Sequence, residues 1–248
     1  MDLLTSISSQ AGDAALALIY PQACAICGSS VESRHDGICC AQCWDATPLF
    51  RETESLCWKC GALSRAVVNA DQSRGLRCGR CDTDGFTVAR AAGAYEGALR
   101  ASVIELKRRP HVPRRMALLM REVQQREPLR GADLIIPVPL HPAREGERGF
   151  NQALVLAEVI SRLSGISLDE HSLARRVQTE MHRAGMDAKA RRKSVAEAFA
   201  VRHADLIAGK RVLLIDDVFT TGATASECAK ALMDNGAVAV FVLTIARA

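Results

Sequence analysis

Four cysteine pairs, each with two residues between its members, crowd into one stretch of the chain: Cys24/Cys27, Cys40/Cys43, Cys57/Cys60 and Cys78/Cys81. A turn of this size brings both sulfurs to one side, so both can reach a single ion. Two such knuckles supply the four ligands of a tetrahedral zinc site, and an all-thiolate set makes a closed, structural site. In sequence order the first two pairs form one site and the last two a second. A site shared by the first and third knuckles stays open, as do disulfides or a redox pair. Cys40 has the right spacing to Cys43, so Cys40 is read as the ligand and Cys39 as a spare. Gly28, Gly61 and Gly79 follow or sit inside the knuckles, where a positive φ is often required. Residues 21–84 have few long apolar runs and cannot bury enough surface to fold alone. Metal is the natural staple.

A secreted disulfide scaffold is the competing class for a chain with 10 cysteines,. The metal-type spacing opposes it, and so does the N-terminus. Residues 1–20 carry an apolar stripe of helical period (Leu3, Leu4, Ile7, Ala11, Ala14, Ala15, Leu18) interrupted by Asp2 and Asp13, with no basic region ahead of it,. The segment has no Lys or Arg to meet lipid headgroups, so it is expected to pack on the body as an amphipathic helix. No run reaches membrane-span length. The expectation is a cytoplasmic protein with reduced thiols. Hydrophobic content of 48% against 24% charged residues is globular, and aromatics at 4% leave an aliphatic core,.

From residue 86 strands and helices alternate. Extended chain is expected at 86–95, helices at 97–107 and 113–127, and a short strand at 133–136 that breaks at Pro137 and Pro139. A helix follows at 152–163, a strand at 173–177, a charged stretch to Lys193, and extended chain at 198–201. A strand at 212–215, a helix at 223–233 and a strand at 238–244 complete the pattern. Such alternation implies an α/β fold with a parallel sheet covered on both faces.

Residues 211–224, Arg-Val-Leu-Leu-Ile-Asp-Asp-Val-Phe-Thr-Thr-Gly-Ala-Thr, carry the chemistry. Asp216 and Asp217 stand at the carboxyl end of a buried strand, where open α/β sheets place their ligands. Ionised carboxylates are pure acceptors and suit the vicinal hydroxyls of a ribose. Thr220, Thr221, Gly222, Ala223 and Thr224 then turn into a helix, with hydroxyls and backbone N–H groups able to wrap a 5′-phosphate. No Gly-Lys-Ser/Thr follows, so this is not a Walker loop. A helix cap would need one acid, adjacent to the helix, not two upstream. A second loop, from Pro137 through Arg144 to Arg148-Gly-Phe-Asn-Gln152, offers Arg144 and Arg148 as charge, with Gly149 and Asn151 suited to a helix entrance. A pyrophosphate would fit there; a basic surface loop is the plainer alternative.

Residues 216–224 closely resemble the phosphoribosyl pyrophosphate signature of type I phosphoribosyltransferases. The resemblance implies that Asp216 and Asp217 hold the ribose hydroxyls, that Thr220–Thr224 hold the 5′-phosphate, and that Mg²⁺ accompanies the pyrophosphate. Together with the knuckles, Ala94-Tyr-Glu-Gly97 leading to Leu106-Lys107, Pro137-Val-Pro-Leu140 and Arg148-Gly-Phe-Asn-Gln152, the chain resembles the ComF family (ComFC or GntX-like) over nearly its whole length. In that family a double zinc ribbon precedes a phosphoribosyltransferase-like domain. The implied organisation is an N-terminal helix at 1–20, the ribbon at 21–84 and a phosphoribosyltransferase-like domain at 85–248. One region departs from the family: Arg176 and Thr179 are present, but His182 replaces a Gln, and Ser194 replaces an Asn after Arg191.

The resemblance implies handling of single-stranded DNA in the cytosol during natural transformation (competence), with a DNA-uptake helicase as a candidate partner. Two basic clusters bear on DNA binding: Lys107, Arg108, Arg109, Arg114 and Arg115, then Arg175, Arg176, Arg183, Lys189, Arg191, Arg192 and Lys193. Trp44, Trp58 and Phe50 are candidate stacking aromatics, or else shields for the zinc. Two functions follow. One is a binding protein that keeps a phosphoribosyl pocket for phosphoribosyl pyrophosphate or a related phosphorylated ribose. The other is an active transferase passing ribose 5-phosphate to an acceptor. The chain shows no C-terminal hood for an acceptor and no aromatic or amide cluster that reads a base, which favours binding.

Overall fold

The computed structural model describes residues 22–51, 54–63, 76–176 and 198–248. The expected helix at 1–20 and the departing segment with Thr179, His182, Arg183, Lys189, Arg191, Arg192, Lys193 and Ser194 lie outside the described residues.

Five parallel strands form the body. In spatial order they are β1 (Val88–Ala94), β7 (Ala239–Arg247), β6 (Arg211–Phe219), β2 (Leu134–Pro137) and β3 (Ser167–Leu168). The central strand β6 is buried on both faces from Val212 to Ile215, as an interior parallel strand must be,. Its alternation divides the core. Leu213 and Ile215 face α2 (Gly97–Leu106), α3 (Arg114–Gln124) and α5 (Gln152–Ser164), through Leu99, Val103, Met116, Met120, Leu156 and Ile160. Val212 and Leu214 face α7 (Ala223–Asp234) through Ala225, Cys228, Ala229 and Leu232. Outside this sheet, β4 (Leu173–Arg175) and β5 (Phe199–Val201) pair antiparallel. α6 (Ala204–Ile207) buries Ile207 beside them.

The expected helices and strands form within a few residues of their anticipated ends. Two differences concern the site. The segment after β2 is not all loop: α4 (Pro142–Arg148) forms there, started by Pro142 at its first turn and by His141 Nδ1 accepting from Ala143 N–H,. Strand β6 also does not stop at Ile215. It carries Asp216 and Asp217 within its ladder and ends at Phe219, because β7 runs alongside and pairs as far as Phe219↔Arg247.

The cysteine-rich region clasps the sheet at edge strand β1. Phe50 N–H donates to Ala92 O (2.9 Å), Ala94 N–H to Pro48 O (2.9 Å) and Ala89 N–H to Lys59 O (2.6 Å). An open edge is thereby covered. At Gly93 a Cβ would lie 2.3 Å from Pro48 O, so only glycine permits the approach. The first two knuckles, with α1 (Ala41–Asp45) and its buried Trp44, extend one face of the core, and the last two extend the other.

At the opposite end of the strands, Arg211 grips Asp133 through two side-chain bonds of 3.0 and 2.8 Å. These bonds hold the Asp133 carboxyl down to about 2. A carboxyl depressed on folding contributes stability above its unfolded pKa of about 3.9, lost as pH falls towards about 2,. Asp133→Asn is therefore expected to lower the melting temperature by a few degrees at pH 7, with the gap closing as the pH approaches 2. A gap that persists undiminished at that pH would contradict the pairing.

Candidate metal centres and phosphoribosyl site

The knuckles assemble in sequence order. Cys24, Cys27, Cys40 and Cys43 form one group and Cys57, Cys60, Cys78 and Cys81 a second, the sulfurs of each lying within 4.8 Å of one another. Four sulfurs at Zn–S distances of about 2.3 Å in a tetrahedron are about 3.8 Å apart. Observed separations are 3.6 Å for Cys27–Cys40, 3.7 Å for Cys57–Cys81 and 3.5 Å for both Cys60–Cys78 and Cys78–Cys81. These are tetrahedron edges, far longer than a disulfide of about 2.05 Å. The two groups fit two zinc sites.

At Cys57 and Cys24 the local backbone favours the thiolate, whereas burial and the neighbouring sulfurs raise Cys43 and Cys81. Burial pushes the Cys57 thiol up, but N–H donation from Cys60, Cys78 and Lys59 outweighs it and brings the thiol to about 6. Cys24 behaves alike at about 6, through Cys27, Cys40 and Ile26. Gly28, Gly61 and Gly79 all take positive φ, as their place in the knuckles required. Cys39 belongs to neither group. It is fully buried in the core, and burial raises its thiol to about 12. Metal analysis is expected to give two zinc ions per chain, unchanged in Cys39→Ser. One ion, or a loss with that variant, would contradict the assignment.

At the carboxyl end of β6 strand alternation separates the two acids. Asp216 lines a small recess with Thr220, Gly222, Thr224 and Thr244. Asp217 turns to the other face, where its Oδ2 lies 3.0 Å from Lys107 Nζ, just past the end of α2. Each acid also steadies the strand end: Asp216 Oδ1 accepts from Asp217 N–H (2.8 Å) and Asp217 Oδ1 from Val218 N–H (2.8 Å). Desolvation first, and then the neighbouring Asp217, hold the Asp216 carboxyl well above the usual carboxylate range, while Lys107 pulls it down. Lys107 was read as part of a basic cluster; its role beside Asp217 needed the fold to bring α2 over β6.

The turn from β6 into α7 passes through exposed Thr220 and Thr221 to Gly222, at φ +82°, before Ala223 begins the helix. A Cβ at Gly222 would also meet the Phe219 ring at 2.7 Å. The second loop leaves the neighbouring strand: Val138 N–H donates to Ile215 O (2.9 Å), so this loop and Asp216 start from adjacent strand ends. Arg144 lies exposed on α4, and Arg148 donates to Gln152 Oε1. Gly149 ends α4 at φ +80°. Asn151 is committed to architecture, accepting from Ala153 N–H and donating to Val138 O, both at 3.0 Å.

Among the described residues, several members of the basic clusters are already engaged within the chain. Arg109 pairs with Glu105, and Arg115 with Asp36 and Asp45. Arg175 covers the Phe199 ring at 5.5 Å. Of the three aromatics, Trp44 and Phe50 are buried at 0% and 6% exposure and present no ring to a base. Trp58 stays half-buried beneath the Arg77 guanidinium, 5.1 Å above its ring. Among the described residues no helix is long and apolar enough to cross a membrane.

These features define a class: a double zinc ribbon clasping a parallel-sheet α/β domain. Residues 15–82 match the double zinc ribbon domain family. Over 241 residues the chain is 31% identical to the DNA utilization protein YhgH of Salmonella typhimurium, covering 93% of this chain and 99% of that one. It is 35% identical over 136 residues to competence protein F of Haemophilus influenzae, covering 54% and 59%. The glutamine phosphoribosylpyrophosphate amidotransferase of B. subtilis, a solved structure, is 20% identical with a TM-score of 0.40, over 57% of this chain and 30% of that one. The chain belongs to the ComF family.

Proposed function

We propose that the chain binds phosphoribosyl pyrophosphate, or a related phosphorylated ribose, and serves the handling of single-stranded DNA during natural transformation. The observation that carries the ligand is the recess at the end of β6. A carboxylate, the Thr220, Thr224 and Thr244 side chains, and the start of a 12-residue helix converge there. The 5′-phosphate sits on Thr220–Thr224, where the N–H groups of the first turn and the positive helix end favour an anion. Asp216 accepts from the ribose hydroxyls, with Asp217 behind it. The pyrophosphate lies towards Arg144 and Arg148, with Mg²⁺ as its counter-ion.

The DNA role rests on relatives named for DNA utilization and for competence. The exposed Arg108 and Arg114 and the half-buried Trp58 are the described groups best placed to touch a strand. A DNA-uptake helicase is the partner in this reading, and the cytosol is its setting. The domains divide at 21–84 and 85–248.

Calorimetric titration of the zinc-loaded chain with phosphoribosyl pyrophosphate and Mg²⁺, ribose 5-phosphate, and a single-stranded deoxyoligonucleotide tests both halves. Saturable binding of the first two supports the cradle, and binding of the third supports the DNA role. No heat with phosphoribosyl pyrophosphate would remove the ligand assignment.

A further inference from the structure

We propose that the second zinc group, Cys57, Cys60, Cys78 and Cys81, supplies the wall of a nucleobase site beside the phosphoribosyl recess; the inference rests on the cradle reading above only for what lies next to the base. A cleft of about 530 Å³ separates the ribbon from the end of the sheet. Its ribbon side carries Arg80, Cys81 and Asp84, and its sheet side carries Phe219, Thr220 and Arg247. Cavities of this size are typical of small-molecule sites. Phe219 and Thr220 also line the recess, so the two spaces adjoin.

The walls are fixed before any ligand arrives. Gly85 N–H donates to Ser226 Oγ on α7 (2.9 Å), and Ala89 N–H to Lys59 O (2.6 Å). Arg247 donates to Cys60 O (2.6 Å) and lies 3.7 Å from Cys60 Sγ. Its guanidinium is 4.6 Å above the Phe219 ring. A planar cation pinned on an aromatic ring is a stacking plate of the kind that carries nucleobases.

The charge balance selects the ligand. With zinc bound, the four thiolates of the second site keep a net charge of about −2, and with Asp84 they offset Arg80 and Arg247, so a bare anion gains little there. A neutral planar ring with a hydrogen-bonding edge gains more. Its amino groups can donate to Asp84, and its carbonyls or ring nitrogens can accept from Arg80, Thr220 or Thr221. The sequence shows no hood for a base because this one is assembled from Arg80, Phe219 and Arg247, far apart in the chain.

The base can come from two sources: a free nucleobase, or a nucleotide within a single strand. Photolabelling the zinc-loaded full chain with 8-azidoadenine, and separately with a single-stranded tetradeoxynucleotide carrying that base, distinguishes them. Either probe is expected to label peptides containing residues 76–84, 219–221 or 247–248. Labelling by the free base marks an acceptor, and labelling by the tetranucleotide alone marks a strand. Ala62→Trp, which fills the cleft from the ribbon side, is expected to cut labelling at least tenfold with two zinc ions retained. Undiminished labelling in that variant would overturn the site. So would label elsewhere, or none, on the wild-type chain, which decides the matter even if the variant fails to fold. Phosphoribosyl pyrophosphate titration of the same samples separates the two claims: mapped label without that binding sinks the cradle and leaves the nucleobase site.

Discussion

Replacing Cys81 by serine is expected to release one of two zinc ions and to weaken phosphoribosyl pyrophosphate binding tenfold or more. Structural zinc contributes about 10–16 kcal/mol in zinc-finger peptides, far beyond what the few apolar residues around the second zinc group could replace. Cys81 Sγ lies 3.7 Å from Cys57 Sγ and 3.5 Å from Cys78 Sγ, so its loss opens the site. The consequence travels through Arg247. Its anchor is the Cys60 carbonyl, and its guanidinium covers Phe219, the last residue of β6 before the Thr220–Thr221 turn. Without the second zinc group that cover is free to leave, and the turn loses its support. Cys27→Ser should also release one ion but cost affinity threefold at most. Cys27 is exposed, and the first zinc group packs on the other face, against the helices around Leu99 and Met116. Zinc content with ligand titration on both variants checks this. Equal losses of affinity, or the reverse order, would show that Arg247 does not transmit the state of the second zinc group.

The cysteine spacing made the two metal groups legible because a knuckle is local: two sulfurs on one turn need no tertiary information. The strand at 212–215 was legible for a related reason, since an unbroken apolar run has few other uses. The extension of β6 through Asp216 and Asp217 was not. Acids are poor strand formers, and only the neighbouring β7 ladder holds them extended,. Helix α4 hid behind Pro137, Pro139 and Gly146; the legible signal was Pro142 in its first turn after His141, with Gly149 at its end,. The placement of the ribbon against β1 depends on backbone pairing and on the missing side chain at Gly93, neither of which has periodicity to read. Trp44 and Phe50 looked like binding groups because aromatics are rare in this chain. They are buried for the same physical reason that makes aromatics useful anywhere, their large apolar area,.

Asp216→Asn is expected to weaken phosphoribosyl pyrophosphate binding about a hundredfold, and Lys107→Met about tenfold at neutral pH. Asp216 is the acid that faces the recess. Hydrogen bonds to a charged acceptor contribute about 1.5–3 kcal/mol each, and two ribose hydroxyls lose theirs together. Lys107 acts at one remove. Its Nζ, 3.0 Å from Asp217 Oδ2, neutralises the carboxylate behind Asp216 and opposes the burial that raises Asp216's own pKa. Removing that cation drives Asp216 further up, so more of it is protonated at a given pH and fewer chains offer the ionised acceptor. The sign is definite: affinity should rise with pH as Asp216 loses its proton, and the Lys107→Met profile should be displaced to higher pH. At high enough pH the Lys107→Met affinity should approach that of the parent chain, whereas Asp216→Asn should stay weak throughout. A Lys107→Met profile that is lowered evenly at every pH would mean that Lys107 touches the ligand directly instead of setting the charge on Asp216.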